Sequence, residues 1–285
     1  MTSVRLQYRL LNVFTLDGER LSGNPLCVFE DGSSLSVDRM QALALQFNLS
    51  ETTFILPSAT ATAAVRIFTP AMELPFAGHP TLGTAHVVRD LHRADHAVSL
   101  AMQAGDILVR TSGKVWTLEA PKPKSRDFAP AAIQALLSAL GLTAADLAAA
   151  PIWINAGMEQ LLVPLVSHDA VRCVAPTADL GAFQNSSGKV SVYCFSPLDT
   201  HATMLVRFFF AKNVGSVAED PATGSACANL GGYALATDCA LPLKCDLRQG
   251  EYTGRPCALG LEVDAERRIF VSGEVIELGR GYIDL

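Results

Sequence analysis

The feature that most constrains the fold of this chain is a motif that occurs twice. Residues 79–85 read HPTLGTA and residues 220–226 read DPATGSA, so both fit the pattern [H/D]-P-x-x-G-[S/T]-A. The offset between the copies is 220 − 79 = 141 residues, about half of the 285-residue chain. A motif that returns after half the chain length predicts two related halves, each with one copy of a site.

Each copy joins an ionisable side chain to a turn of small residues. His79 and Asp220 both precede a proline, and an apolar stretch that can be helical follows each of them. Proline suits the first helical position, and glycine lets a ligand approach the backbone closely. The unpaired N–H groups at a helix start attract anions. Two copies that face each other therefore predict a cleft for a carboxylate between two titratable groups.

Composition narrows the class of protein. The chain is 49% hydrophobic and 18% charged, as is typical of a well-packed soluble protein. A net charge of −6 without a basic block argues against a nucleic-acid partner, because phosphate binding needs clustered Lys and Arg. No apolar run is long enough to span a membrane, and Arg9 interrupts any signal-peptide core. We expect a cytoplasmic protein without nucleic-acid or membrane partners.

Motifs for metals and cofactors are missing from the sequence. The seven cysteines contain no CxxC pair and are expected to be reduced and mostly buried. No Cys or His pair has the spacing of a zinc site, and the signatures of nucleotide-binding loops, zinc proteases and α/β-hydrolases do not occur. We expect a protein with no metal and no cofactor, whose chemistry depends on carboxylates and one histidine beside glycine turns.

Hydrophobic periodicity predicts many short strands and few helices. One helix is expected from an N-cap at Ser36 to Phe47, others near 131–140 and after Pro80 and Pro221, and a linker at 120–125. The predicted strands cover residues 4–14, 53–56, 63–68, 107–110, 115–118, 161–166, 190–195, 204–210, 259–263 and 269–271.

Glu51 stands where a helix is expected to end and a strand to begin. Functional side chains often lie at the ends of rigid elements. The residues alone nevertheless favour a solvated loop acid at this position. His79 could likewise cap a turn, Asp220 could cap the helix after Pro221, and Ser225 could be a small helix residue chosen for packing.

Three segments resemble the signature segments of the phenazine-biosynthesis PhzF-like family. They are NLSETTF at 48–54, FAGHPTLGTA at 76–85 and EDPATGSA at 219–226. The likeness continues through GNP at 23–25, QG at 249–250 and GRP at 254–256, and so covers essentially the whole chain in order.

The resemblance implies an α+β fold similar to that of diaminopimelate epimerase. Two similar α/β halves would each wrap a curved, mainly antiparallel sheet around a central helix. Residues 1–120 would form the first half, completed by a C-terminal strand at about 275–285, and residues 126–274 the second half. The active site would lie between the halves, and the protein would be a homodimer.

The resemblance also implies an activity, namely isomerisation without a cofactor by proton transfer within a small carboxylic acid. Glu51 would be the base that takes a proton from carbon and returns it elsewhere. His79 and Asp220 would bind the substrate and help to protonate it. The pocket would be lined by Gly78, Gly224 and Ser225. A base of this kind is chemically reasonable, because proton removal from carbon needs a positioned acceptor and preorganised donors for the charge that develops.

Two other functions stay open from the sequence. One is a racemase or epimerase that uses Glu51 with a second acid–base group, and the other is a non-catalytic protein that binds a small acid. Epimerases of the related fold use two cysteines, whose places correspond to Ala77 and Pro221 here, which disfavours a two-thiol mechanism. Asn12 stands where the family usually has Asp, so the substrate itself is not identified.

The first testable prediction concerns cofactors. We expect protein dialysed against a chelator to keep full turnover, because the candidate groups are only Glu, His, Asp and Ser. Turnover is measured before and after dialysis, and again after metals are added singly. A loss of activity that one particular metal restores would contradict the expectation.

Overall fold

The computed structural model describes residues 4–198, 203–213 and 216–285. The chain folds into two compact units, Met1–Glu119 with Ser272–Leu285 and Ala120–Val271. Within the described ranges, no helix combines the length and the apolar character that membrane crossing requires.

Strands outnumber helices in both units. In chain order the elements are β1 (Arg5–Val13), β2 (Asn24–Phe29), α1 (Val37–Phe47), β3 (Glu51–Leu56), β4 (Ala63–Phe68), β5 (Glu73–Leu74), α2 (Gly78–His92), β6 (Ala97–Met102), β7 (Gly105–Ser112), β8 (Val115–Glu119), β9 (Lys124–Asp127), α3 (Ile133–Leu140), β10 (Ile152–Asn155), β11 (Glu159–Pro164), α4 (His168–Cys173), β12 (Ser191–Phe195), β13 (Thr203–Asn213), β14 (Ser216–Asp220), α5 (Gly224–Ala236), β15 (Leu243–Gln249), β16 (Cys257–Val263) and β17 (Ile269–Asp284).

The first unit is built on a mainly antiparallel sheet. β1 pairs with β2 on one side and with the C-terminal strand β17 on the other, with Arg5 opposite Asp284. β2 and β3 are parallel and place Leu26 beside Glu51. β3 pairs antiparallel with β4, and β6, β7 and β8 form an antiparallel meander.

Helix α2 is the central helix of this unit and is buried along most of its length. Its close approach to the sheet depends on Gly83, where an added Cβ would lie 2.5 Å from Leu26 Cδ2 and 2.9 Å from Val13 Cγ2. A buried hydrogen bond, 2.8 Å between the hydroxyls of Thr53 and Thr84, joins α2 to β3. Small residues and satisfied polar groups are what a helix in the middle of a core requires.

The second unit repeats this plan with helix α5 at its centre. Strands β12, β13 and β14 form an antiparallel run, β11 and β12 are parallel, and β15 pairs antiparallel with β16. Two glycines allow α5 to pack closely, because a Cβ on Gly231 would lie 2.7 Å from Ile269 Cγ2 and one on Gly232 would lie 2.6 Å from Ile154 Cγ2.

The structure agrees with the sequence on most of the predicted elements and corrects the predicted linker. α1 starts after Ser36, whose hydroxyl accepts from the Arg39 backbone N–H at 3.3 Å, as predicted. The predicted linker at 120–125 is partly strand, since β9 begins at Lys124 and pairs with β10. Mainly antiparallel sheets with separate helices make this an α+β protein, also as predicted.

The packing around Gly83 generates a prediction about stability. We expect Gly83→Ala to lower the free energy of unfolding by up to about 2 kcal/mol, because an overpacking cost of about 1–3 kcal/mol against Leu26 and Val13 exceeds the gain of about 1 kcal/mol in helix propensity. Gly181→Ala is the matched control, since a Cβ there meets open space. Urea unfolding of both variants measures the difference, and equal stabilities would show that α2 can shift to admit the methyl group.

Candidate active site

In the first unit, the structure brings Glu51 and His79 together. Glu51 is the first residue of β3 and His79 the second residue of α2, and the hydroxyl pair Thr53–Thr84 joins these two elements. Glu51 Oε2 lies 3.2 Å from His79 Nε2, and the side chains are only 16% and 7% exposed. A carboxyl group and an imidazole therefore lie together, mostly withdrawn from water, at the start of a helix.

Burial determines the charge of His79. It lowers the pKa of the imidazole from 6.5 to about 3, against a smaller opposing effect from a hydrogen bond to the Pro25 backbone. The ring is thus neutral near pH 7. Nε2 faces Glu51, so we assign the hydrogen bond with Pro25 to Nδ1–H, which donates to the Pro25 carbonyl oxygen. In this neutral tautomer Nε2 carries no hydrogen and can only accept.

This tautomer allows Glu51 and His79 to share one proton. A carboxylate oxygen and an unprotonated Nε2 are both acceptors, and they are not aligned as a hydrogen bond in the structure. A proton on Glu51 would change that, since its O–H could donate to Nε2. The pair is therefore able to hold one proton away from water.

Pro25 is a residue of the candidate site that the sequence analysis did not identify, although it lies in the GNP segment of the resemblance. Its carbonyl sets the tautomer of His79. The preceding turn needs Gly23, which has φ of +86° and where a Cβ would lie 2.8 Å from the Val13 carbonyl oxygen. Glycine thus allows the chain to enter β2 at the position where Pro25 reaches the histidine.

In the second unit, Asp220 is held by its neighbours. It ends β14, and the Thr223 hydroxyl donates to its Oδ2 at 2.5 Å. The buried Gln249 amide donates from Nε2 to the Asp220 carbonyl at 2.8 Å and to Thr223 Oγ1 at 3.0 Å. The carboxyl group is therefore oriented through Thr223, and Gln249 fixes Thr223. Gln249 too was missed, although it lies in the QG segment of the resemblance.

The two motif copies differ in where their helices begin. α2 starts at Gly78, one residue before His79, and has Ala77 as its N-cap. α5 starts at Gly224, four residues after Asp220, and has Thr223 as its N-cap. Asp220 is therefore not the helix cap that the sequence suggested. Hydrogen bonds from Thr223 and Gln249 hold the residues between Asp220 and α5 in a turn. α2 begins two residues before Pro80 and α5 begins three residues after Pro221, so neither proline is the first helical residue.

Backbone donors lie beside the ionisable groups in each unit. Gly78 opens α2, and Gly224 and Ser225 open α5, so their N–H groups lack partners within the helix. The Ser225 hydroxyl accepts from Gln160 Nε2 at 2.9 Å. Such N–H groups suit a carboxylate, and both helix dipoles add positive potential there.

Thiols and metal ligands contribute little near these residues. Cys227 is buried in α5, where its Sγ donates to the Gly260 carbonyl and burial raises its pKa well above the usual value. It is therefore an inert thiol. In the parts of the chain that the structure describes, no three His, Cys, Asp or Glu side chains are grouped to hold a metal ion.

Comparison with known proteins gives a consistent result. Residues 11–280 match the family described as phenazine biosynthesis-like protein, PhzC-PhzF. An uncharacterized isomerase of Pasteurella multocida is 37% identical, over 96% of this chain and 92% of that protein. The trans-2,3-dihydro-3-hydroxyanthranilate isomerase of Pseudomonas chlororaphis is 34% identical, over 93% of this chain and 95% of that protein.

A solved structure supports the fold. The crystal structure of a phenazine biosynthesis protein of the PhzF family from Bacillus anthracis superposes with a TM-score of 0.82 and covers 99% of both chains. The sequences are 21% identical, so this likeness concerns the fold.

The buried histidine generates a prediction about pH. Its folded pKa lies below its unfolded pKa, so the unfolded chain binds more protons between pH 6.5 and about 3 and stability falls as pH falls through that range. From pH 7 to 4.5 the His79 contribution to the loss is about 2–3 kcal/mol. Between pH 7 and 4.5, the free energy of unfolding of His79→Gln should therefore fall by about 2–3 kcal/mol less than that of the wild type. Urea unfolding of both proteins at the two pH values measures the difference. Equal losses in the two proteins would contradict the prediction.

Proposed function

The chain belongs to the phenazine biosynthesis-like (PhzC-PhzF) family and is an isomerase, and from this premise we propose that it moves a proton within a small carboxylic acid without a cofactor. The observation that carries the proposal is the buried contact of 3.2 Å between Glu51 and His79. A base that is mostly withdrawn from water and paired with a neutral imidazole suits transfer of a proton between carbon atoms.

The proposed role of Glu51 is to carry the proton. Its carboxylate removes a proton from a substrate carbon next to an unsaturated system, and the electron pair of the broken C–H bond enters that system. Protonated Glu51 then returns the same proton to another carbon, where a new C–H bond forms. The step has no net change in atoms or charge, so it needs no redox partner.

His79 is proposed to stabilise the loaded state of this base. While Glu51 holds the proton, its O–H donates to Nε2, which is free to accept because Nδ1–H donates to Pro25. Burial of both side chains hinders loss of the proton to water. The histidine thereby lengthens the time in which the proton can return to the substrate.

The glycines and Ser225 at the helix starts, together with Asp220, are proposed to bind the acid and to stabilise the negative charge that develops during the reaction. The N–H groups of Gly78, Gly224 and Ser225 donate to the substrate carboxylate, and Asp220, oriented by Thr223, contacts the substrate and assists protonation. We assign both groups to one reaction on the basis of the family and the repeated motif.

We propose a cyclic, unsaturated carboxylic acid as the substrate. The relative from Pseudomonas chlororaphis is named as an isomerase of trans-2,3-dihydro-3-hydroxyanthranilate, which has this chemistry. Its removable proton lies next to a conjugated system, as the role proposed for Glu51 requires. Trans-2,3-dihydro-3-hydroxyanthranilate is accordingly the first substrate to test.

The central test is Glu51→Gln. Glutamine keeps the size and hydrogen-bonding reach of glutamate but cannot accept the proton, so we expect kcat to fall by roughly two to four orders of magnitude with binding and folding retained. Turnover and C–H exchange are followed by NMR in D₂O with trans-2,3-dihydro-3-hydroxyanthranilate and a panel of related acids. A melting curve confirms folding.

Glu262→Gln is the matched control, because the same chemical change at an exposed carboxylate should leave turnover unchanged. If Glu51→Gln keeps near-normal C–H exchange, Glu51 is not the base, and Asp220 or His79 becomes the leading candidate. Inversion at one carbon without a shift of the double bond would identify an epimerase instead. Thermal stabilisation by an acid that the wild type never turns over would identify a binding protein.

A further inference from the structure

A row of hydrogen-bonded amide side chains, Asn229 and Gln160, leads from the core to Ser225. Asn229 lies one turn after Ser225 on α5, and Gln160 on β11 bridges the two. Both amide side chains are fully buried, whereas Ser225 is only half-buried. This row of amides therefore runs from the core of the second unit to the N-terminus of its central helix.

Backbone groups fix the direction of this row of amides at its inner end. The Ala156 N–H can only donate, and it lies 2.6 Å from the Asn229 side-chain oxygen. The Met158 carbonyl can only accept, and it lies 2.8 Å from Asn229 Nδ2. Two backbone partners of opposite kind therefore leave the Asn229 amide a single orientation.

This orientation is passed on to Gln160. Asn229 Nδ2 donates to Gln160 Oε1 at 2.7 Å, so the nitrogen of the Gln160 amide must point the other way. Gln160 Nε2 donates to Ser225 Oγ at 2.9 Å. A hydroxyl has one hydrogen, and since the bond from Gln160 uses an Oγ lone pair, that hydrogen remains for another acceptor.

From this polarity we propose that Gln160 and Asn229 are positioning residues that make Ser225 a hydrogen-bond donor to the substrate. The group that meets Ser225 must then be an acceptor, which a carboxylate is and an ammonium or amide N–H is not. The inference deepens the proposed function and rests on it, because it assigns Ser225 to the carboxylate of that substrate.

The first motif copy shows that such an arrangement is not a requirement of the fold. Thr84 occupies the place of Ser225, since 84 + 141 = 225. Its hydroxyl bonds to that of Thr53, and both groups are buried, with either one able to donate. The Thr84 hydroxyl is therefore paired inside the core, whereas the half-buried Ser225 hydroxyl accepts from Gln160 and keeps its hydrogen for another acceptor.

The hydrogen bond from Gln160 to Ser225 can be tested without substrate. Side-chain NH₂ signals of Gln160 are recorded by ¹⁵N–¹H NMR in the wild type and in Ser225→Ala. We expect the Gln160 signals to move when the acceptor is removed and those of Gln184, an exposed amide bonded to the Gly181 carbonyl, to stay unchanged. Gln160 signals that do not respond to Ser225→Ala would overturn the inference.

A second test measures the effect on binding in the inactive Glu51→Gln background. Calorimetry with trans-2,3-dihydro-3-hydroxyanthranilate should give a Kd about tenfold higher for Gln160→Met, because the hydroxyl is no longer oriented. In a background that also carries Ser225→Ala, Gln160→Met should add nothing to Kd. Gln184→Met is the control and should leave Kd unchanged.

The outcomes separate the two proposals. A purely structural role of Gln160 would lower the melting temperature and raise Kd equally with and without the Ser225 hydroxyl, which would overturn the inference. Absence of binding by the parent protein would count against the proposed substrate, and the NMR measurement would still decide whether Gln160 orients Ser225.

Discussion

The burial of one helix inside each sheet is the constraint on which the rest of this structure depends. A helix with no exposed face needs small residues where the sheet approaches, and Gly83 and Gly231 supply them. It also needs a partner for each polar side chain, because an unsatisfied buried group is costly. The hydroxyl pair Thr53–Thr84 and the hydrogen-bonded amides of Asn229 and Gln160 supply such partners. The same contacts hold the helix starts, and so the candidate catalytic residues, in place.

The two copies of the motif meet this constraint in different ways, and their chemistry differs as a result. In the first copy the helix begins before His79, so the imidazole is drawn into the core and becomes neutral beside Glu51. In the second copy Thr223 caps the helix later, so Asp220 stays on a strand end. A pattern that repeats in sequence thus yields a buried carboxyl–imidazole pair in one unit and a carboxyl group oriented by Thr223 in the other.

Much of the fold could be predicted from local patterns. The helix after Ser36 carries an apolar face with helical spacing, and the strand at 63–68 matches β4 residue for residue. Strand β2 was missed because it opens with Asn-Pro, a turn signal. Strand β15 was missed although its buried residues alternate, because charged residues lie between them. Such strands are identified by their neighbours in the sheet rather than by their own composition.

The sequence by itself determined the repeat, many of the strands and helices and the identity of the ionisable residues, because these depend on residue order and on chemical type. It also carried the family resemblance, which implied the α+β class. Only the tertiary structure decided the protonation and direction of those groups. The neutral state of His79 follows from burial, and its tautomer follows from a carbonyl 54 positions earlier, 79 − 25 = 54. The polarity of Ser225 follows from backbone groups of Ala156 and Met158, between β10 and β11. Hydrogen bonds between residues distant in sequence leave no local pattern, so a sequence shows which groups are present and the fold shows which way they point.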